Sequence, residues 1–321
     1  MRTEALGSLG SVGLGLALIA LQAPQPAAIV PLADYHQHLL SPARSPGGEV
    51  FDAAGLVELL DAASIRQALV LSLAYQYGNP NRPPVEDEYG RVKAENDWTS
   101  EQVARFPDRL RAFCSVNPLK DYALDEIARC AKDARLRRGL KMHFGNSDVQ
   151  LLNESHIARL RTVFRAANDH RMAIIVHMRS TVSQKRAYGA DHARAFLNEL
   201  LPAAPDVSVQ IAHLTGAGGY EDTAADEALQ VFIDAIAKRD PRMARVYFDV
   251  SGVAGLGDWK PKAALIASRI RALGLDRVLY GSDGGWGDNP KPKQAWASFR
   301  ELPLTEAEFR TIANNVAPYL N

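Results

Sequence analysis

Gly139-Leu140-Lys141-Met142-His143, an amphipathic stretch at 155–169, and Ala173-Ile174-Ile175-Val176-His177 decide the fold. The two flanking runs are short and β-rich, and the segment between them places apolar residues at helical spacing. A strand, a helix and a second strand of this kind make a parallel βαβ unit. The alternation continues in both directions. Further strands are predicted at 30–35, 67–73, 110–116, 207–212, 245–250 and 277–280, with helices at 53–63, 122–134, 192–201, 222–238 and 262–273. Eight strands in this rhythm close a (β/α)8 barrel. A doubly wound open sheet is the competing layout, but no Gly-x-Gly-x-x-Gly follows the first strand.

Around that frame the composition is ordinary: 321 residues, 47% hydrophobic, with Lys plus Arg and Asp plus Glu both 37. Zero net charge gives no field to steer a polyanion, so the sequence argues for a small-molecule ligand and against nucleic acid. Oligomeric state is not written in it, and a homo-oligomer stays open. Residues 12–21 form an apolar run, followed by Gln-Ala-Pro-Gln-Pro-Ala-Ala at 22–28. This resembles a secretory signal peptide over 1–28, ahead of a single catalytic barrel at 29–321. The run is about half the roughly 20 residues a bilayer span needs, so no permanent membrane helix is expected. Arg2 is offset by Glu4, which weakens the positive end of such a signal. Export is the expectation, to the periplasm in a bacterium; the other reading is a loose extension on a cytoplasmic protein.

Cys114 and Cys130 are the only cysteines and fall in a predicted strand and a predicted helix. Two buried free thiols are the expectation, although an oxidising compartment would permit a bridge. Two segments interrupt the rhythm. Residues 75–99, rich in Pro, Asn, Tyr and charge, read as a long loop over the catalytic face. Residues 281–292 are glycine-rich and contain Asp283 and Trp286.

Five of the eight histidines lie at or beside predicted strand ends. His36 and His38 form His-x-His at the end of the first strand, where i and i+2 share a face and two imidazoles can chelate a borderline cation. A pair of structural histidines has the same pattern. His177 and His213 each end an apolar strand, and Asp283 follows Val-Leu-Tyr-Gly-Ser. Barrel enzymes place catalytic groups at these carboxyl ends, and a buried carboxylate calls for a cation beside it. Lys141 and His143 share a face of the fourth strand. A buried lysine must lose its charge or find an anion. It either becomes carboxylated and bridges two ions, or reaches the rim to meet a substrate carboxylate or Asp34.

His36-Gln37-His38, His177, His213 and Tyr280-Gly281-Ser282-Asp283, in this chain order, resemble the amidohydrolase superfamily. Asn314-Asn315-Val316-Ala317-Pro318-Tyr319-Leu320 is similar to the tail of its amidohydrolase-related branch, which includes aminocarboxymuconate-semialdehyde decarboxylase and several lactone hydrolases. The resemblance runs from about residue 32 to 320 and implies two arrangements. In one, His36, His38, His177 and Asp283 hold a single divalent ion and His213 acts beside it. In the other, a carboxylated Lys141 bridges two ions and His177 and His213 hold the second. Zinc suits the imidazole-rich set, and Mn²⁺ or Fe²⁺ suit similar ligands.

The expected reaction is hydrolysis of an ester, lactone or amide by metal-activated water, with Asp283 carrying the proton and His213 or the ion polarising the carbonyl. Arg179 is a candidate anchor for a substrate carboxylate and Trp286 a candidate pocket wall. Non-oxidative decarboxylation of an unsaturated or aromatic acid uses the same ligands. A catalytically inactive barrel or binding protein is the reading outside enzymology.

Overall fold

Short apolar runs become strands here because both of their faces are covered, one by the barrel interior and one by helices. In the computed structural model, which describes residues 28–45, 47–179, 186–285 and 287–320, the strands are β1 (Ala33–Gln37), β2 (Gln67–Leu71), β3 (Leu110–Ser115), β4 (Gly139–His143), β5 (Ala173–His177), β6 (Val209–Ile211), β7 (Val246–Asp249) and β8 (Val278–Leu279). They pair in chain order, all in parallel. The ring closes where the Tyr35 N–H meets the Tyr280 carbonyl at 2.9 Å and the Asp283 N–H meets the His36 carbonyl at 2.8 Å. The expected single-domain (β/α)8 barrel is therefore the fold. The signal-like run at 12–21 and Trp286 lie outside the described residues. No described helix is long and apolar enough to cross a membrane.

Strand alternation sorts the core. Ala68, Val70, Leu140, Met142, Ile174 and Val176 pack outward with the helices. Leu69, Leu71, Phe113, Ala173 and Ile175 fill the interior with Tyr35, and Ala317, Tyr319 and Leu320 close its floor. Gly139 is required on that inner face: a Cβ there would stand 2.2 Å from the Phe113 ring. The β8–β1 seam is locked by the buried carboxylate of Asp34. It accepts hydrogen bonds from Ser282 Oγ at 2.6 Å, Ser282 N at 3.1 Å, Gln37 Nε2 at 2.7 Å and His36 N at 3.1 Å. Burial nonetheless pushes this carboxyl up to about 6.

Two expectations are corrected. Residues 75–99 are not one long loop, because the second helix, α2 (Glu88–Ala104), which follows α1 (Ala53–Ala62), occupies most of their second half. Its buried face includes Glu95, Asn96, Thr99 and Ser100, so the apolar helical period is missing from the sequence. Most of those polar groups find partners inside: Asn96 Nδ2 donates to the Ser115 carbonyl at 2.9 Å, and Ser41 Oγ donates to Glu95 Oε2 at 2.6 Å, while Glu95 Oε1 is left without one. The cysteines, expected as free thiols, form a disulfide. α3 (Ala123–Cys130) packs so that the Cα atoms of Cys114 and Cys130 are 6.2 Å apart, within bridging reach.

A bridge closing a loop of this length contributes about 3 kcal/mol. Alkylation of the unfolded, unreduced protein should therefore label neither cysteine. The Cys114→Ala/Cys130→Ala variant should lose about 2–4 kcal/mol in urea unfolding. Two labelled thiols in unreduced protein would show that the bridge does not form.

Candidate active site

β1 does not run straight to the site. Its register against β2 shifts between Asp34 and Gln37, an irregularity that re-aims side chains next to functional sites. Tyr35 packs on the barrel floor while the adjacent His36 also reaches the interior, where its Nδ1 meets Asp249 Oδ2 at 3.1 Å. His38 follows at the strand's mouth and donates from Nδ1 to the Leu71 carbonyl at 2.6 Å. His213 arrives by a different route. It begins three consecutive non-glycine residues with positive φ (His213 54°, Leu214 47°, Thr215 71°). That turn brings its ring to 4.7 Å from His36 and 4.8 Å from His177, centroid to centroid. Asp283 also has a positive φ, 56°. Such conformations are costly and concentrate at functional sites.

The hydrogen bonds fix which ring nitrogen is free. Carboxylate and carbonyl oxygens only accept, so His36, His38 and His213 carry their protons on Nδ1, facing Asp249, Leu71 and Ser251 (2.8 Å) respectively. Each turns an unprotonated Nε2 toward the centre. Burial holds all three neutral, pushing His38 down to about 3. His36 Nε2 is met by Lys141 Nζ at 3.3 Å. His38 Nε2 faces Asp283 Oδ1 at 3.6 Å. That oxygen is buried without a hydrogen-bond donor, while Oδ2 accepts from Asn289 at 3.0 Å.

Two lone-pair atoms facing each other across 3.6 Å need a proton or a cation between them. Atoms each about 2.1 Å from a common divalent ion sit at such a separation. The ligand atoms of His36, His38 and Asp283 lie within 4.8 Å of one another, so the residues present fit a divalent cation. His177 is not part of that tight group, but its Nε2 is buried without a partner nearby. Lys141 is fully buried inside the barrel; burial drives its ammonium down and the Asp283 carboxyl up, and each charge supports the other. Lys141 does not pair with Asp34, whose oxygens are taken by the seam.

Arg179 donates from Nε to Asp222 at 2.5 Å and lies 4.6 Å over the Tyr188 ring. Its charge is largely matched there, although Nη1 is buried without a partner. Trp286 is outside the described residues. Asp249, at the end of β7, joins these residues without being among the expected site residues. This buried carboxylate accepts from His36 Nδ1, from Gln210 Nε2 at 2.6 Å, from the His213 N–H at 3.0 Å, and from Ser251 N and Oγ. Those contacts hold it well below the usual carboxylate range. A polar residue closing an apolar strand was the available signal, the same one that marked Asp283.

The family model described as amidohydrolase matches residues 33–316. No curated protein matches the chain in sequence. Among solved structures, 5-carboxyvanillate decarboxylase from Sphingomonas paucimobilis is similar with a TM-score of 0.60 at 18% identity, covering 88% of this chain and 96% of that one. A probable 2-pyrone-4,6-dicarboxylic acid hydrolase from Acinetobacter baumannii, with citric acid bound, gives 0.59 at 15%, covering 88% and 96%. A dihydroxybenzoic acid decarboxylase from a Polaromonas species, with manganese and 2-nitroresorcinol bound, gives 0.56 at 15%, covering 89% and 95%. At these identities the likeness is one of fold.

Protein purified without chelator and supplied with Zn²⁺ or Mn²⁺ should carry about one equivalent of ion by elemental mass spectrometry. The His36→Ala/His38→Ala variant should carry none. About two equivalents would indicate a carboxylated Lys141 bridging a pair; none in the wild type would remove the cation from the site.

Proposed function

This chain belongs to the amidohydrolase family, and from that premise we propose that it is a metal-dependent hydrolase of a small ester, lactone or amide. The observation that carries the reading is the opposed pair His38 Nε2 and Asp283 Oδ1, two acceptors 3.6 Å apart of which Oδ1 is buried without a donor. His36, His38 and Asp283, with His177 beside them, would hold the ion. A divalent cation there supplies positive charge that acidifies water and polarises a carbonyl.

The chain's own groups do the rest. Asp283 is fixed through Oδ2 by Asn289 and leaves Oδ1 open, so it can take a proton from the attacking water and return it to the leaving group. Burial raises its affinity for that proton. His213, with its proton committed to the Ser251 carbonyl, offers Nε2 as an acceptor. In that state it suits a ligand or base better than a polariser of the carbonyl. Lys141 sets a positive charge against the inner edge of the site and is the residue a second ion would require to be carboxylated.

Decarboxylation is the second reading, favoured by one observation: burial raises the Asp283 carboxyl, and a protonated carboxylic acid is what delivers a proton to carbon. Two of the similar structures are decarboxylases of aromatic acids. Export to an oxidising compartment is also part of the proposal, and the Cys114–Cys130 bridge supports it.

The ion-loaded protein should hydrolyse at least one member of a panel containing 4-nitrophenyl acetate, dihydrocoumarin, homoserine lactone and an N-acetyl amide. ¹⁸O from solvent should appear in the acid product. Asp283→Asn should lower kcat by about 10²–10⁴-fold. Release of CO₂ from 2,6-dihydroxybenzoate without turnover of the panel would overturn hydrolysis in favour of decarboxylation.

A further inference from the structure

One imidazole in the cavity is wired the opposite way from His36, His38 and His213. β4 and β5 pair with His143 directly beside His177, and their rings stack at 3.8 Å with 13° between planes. The Tyr75 ring packs against His143 as well, at 5.3 Å and 35°. His143 Nδ1 receives the backbone N–H of Asn146 at 3.1 Å. A backbone N–H can only donate, so His143 Nδ1 is unprotonated and the ring's single proton is on Nε2. His36, His38 and His213 show the reverse, with protonated Nδ1 and bare Nε2.

Of the four rings whose protons the hydrogen bonds place, three thus present lone pairs and one presents an N–H. A ring with its lone pair spent on a backbone amide is a poor metal ligand through that nitrogen, and its N–H repels a cation. It is suited to an oxygen. His143 shares the interior face of β4 with Lys141, two residues nearer the mouth, where it and His177 are the most exposed of the clustered rings, at 9% and 7%. A substrate seated against the cation would meet this ring from the open side.

We infer that His143 is a fixed hydrogen-bond donor that binds a carbonyl or carboxylate oxygen of the substrate beside the metal centre. The assignment rests on the metal-dependent reaction proposed above. It gives the electrophilic role to a ring whose proton is placed by the fold, and it leaves His213 as an acceptor. The ring is held at Nδ1 and packed against two neighbours, so the donor needs no reorganisation as charge develops on the oxygen.

Long-range ¹H–¹⁵N spectra of the ion-loaded, ¹⁵N-labelled protein test the wiring directly. His143 should show a bare Nδ1 and a protonated Nε2. Among the described rings His156 should share that pattern, because its Nδ1 accepts from Gln150 N at 3.1 Å, and a His156→Gln variant separates the two signals. Titration with sodium benzoate should shift the His143 Nε2–H. On the panel compound turned over fastest, His143→Phe should lower kcat/KM about 100-fold with ion content and melting temperature kept. His143→Gln, whose amide N–H reaches toward the Nε2 position, should recover most of it. A proton on Nδ1, loss of the ion in both variants, or His143→Phe kinetics equal to wild type would overturn the inference. If the wild type holds its ion yet turns over nothing in the panel, the hydrolase reading falls, while the ring pattern and benzoate shift still decide the donor.

Discussion

Asp249 is the interaction on which the centre depends. A carboxylate with no exposed surface is costly unless it is fully hydrogen-bonded, and this one accepts from His36, Gln210, His213 and Ser251 together. Through one oxygen it sets the proton of His36 on Nδ1. Through the other it holds the backbone where His213 enters its left-handed turn. The two imidazoles are therefore aimed by a single side chain. Gln210 extends the connection downward to Tyr319, whose hydroxyl donates to it from the barrel floor. Packing at the closed end and ring orientation at the open end are one network, and networks of this kind are useful only when every member is satisfied.

The barrel and most of its centre were legible because their signals are local. Strands buried on both faces are written as apolar runs such as Ile174-Ile175-Val176, and β4 and β5 fall where that rule puts them. A polar residue closing such a run is equally local, which is why His36, His38, His177, His213 and Asp283 could be picked out. The remainder depended on tertiary partners. α2 buries Glu95, Asn96 and Thr99 against polar neighbours, so nothing periodic announced it. Nothing near Cys114 in sequence reveals Cys130 across the β3–α3 packing. Proton placement on the rings is set by Leu71, Asp249, Ser251 and Asn146, residues far apart in the chain, and spacing within a motif contains none of that information.

The treatment of charge follows the same economy. Lys141, Asp283, Asp249 and Asp34 all sit in the interior, yet only Asp249 and Asp34 have all of their oxygens engaged. Lys141 and Asp283 keep open valences, and burial makes them costly in isolation. A fold that leaves two groups in that condition, while satisfying two others completely, separates the parts that hold the shape from the parts that wait for a ligand.

The β8–β1 seam has a kinetic meaning as well. Asp34 and Ser282 are 248 residues apart in the chain, so the contact that closes the ring has one of the largest loop-closure costs in the molecule. The strands it joins also supply His36, His38 and Asp283. An open barrel intermediate therefore has two of these groups on one edge and the third on the other, and would chelate an ion weakly. Ion capture and ring closure would then be a single cooperative event. Any species that binds only the closed ring stabilises it by an amount that grows with the logarithm of its concentration, so a divalent ion held by these residues would act as a folding ligand before it is a cofactor.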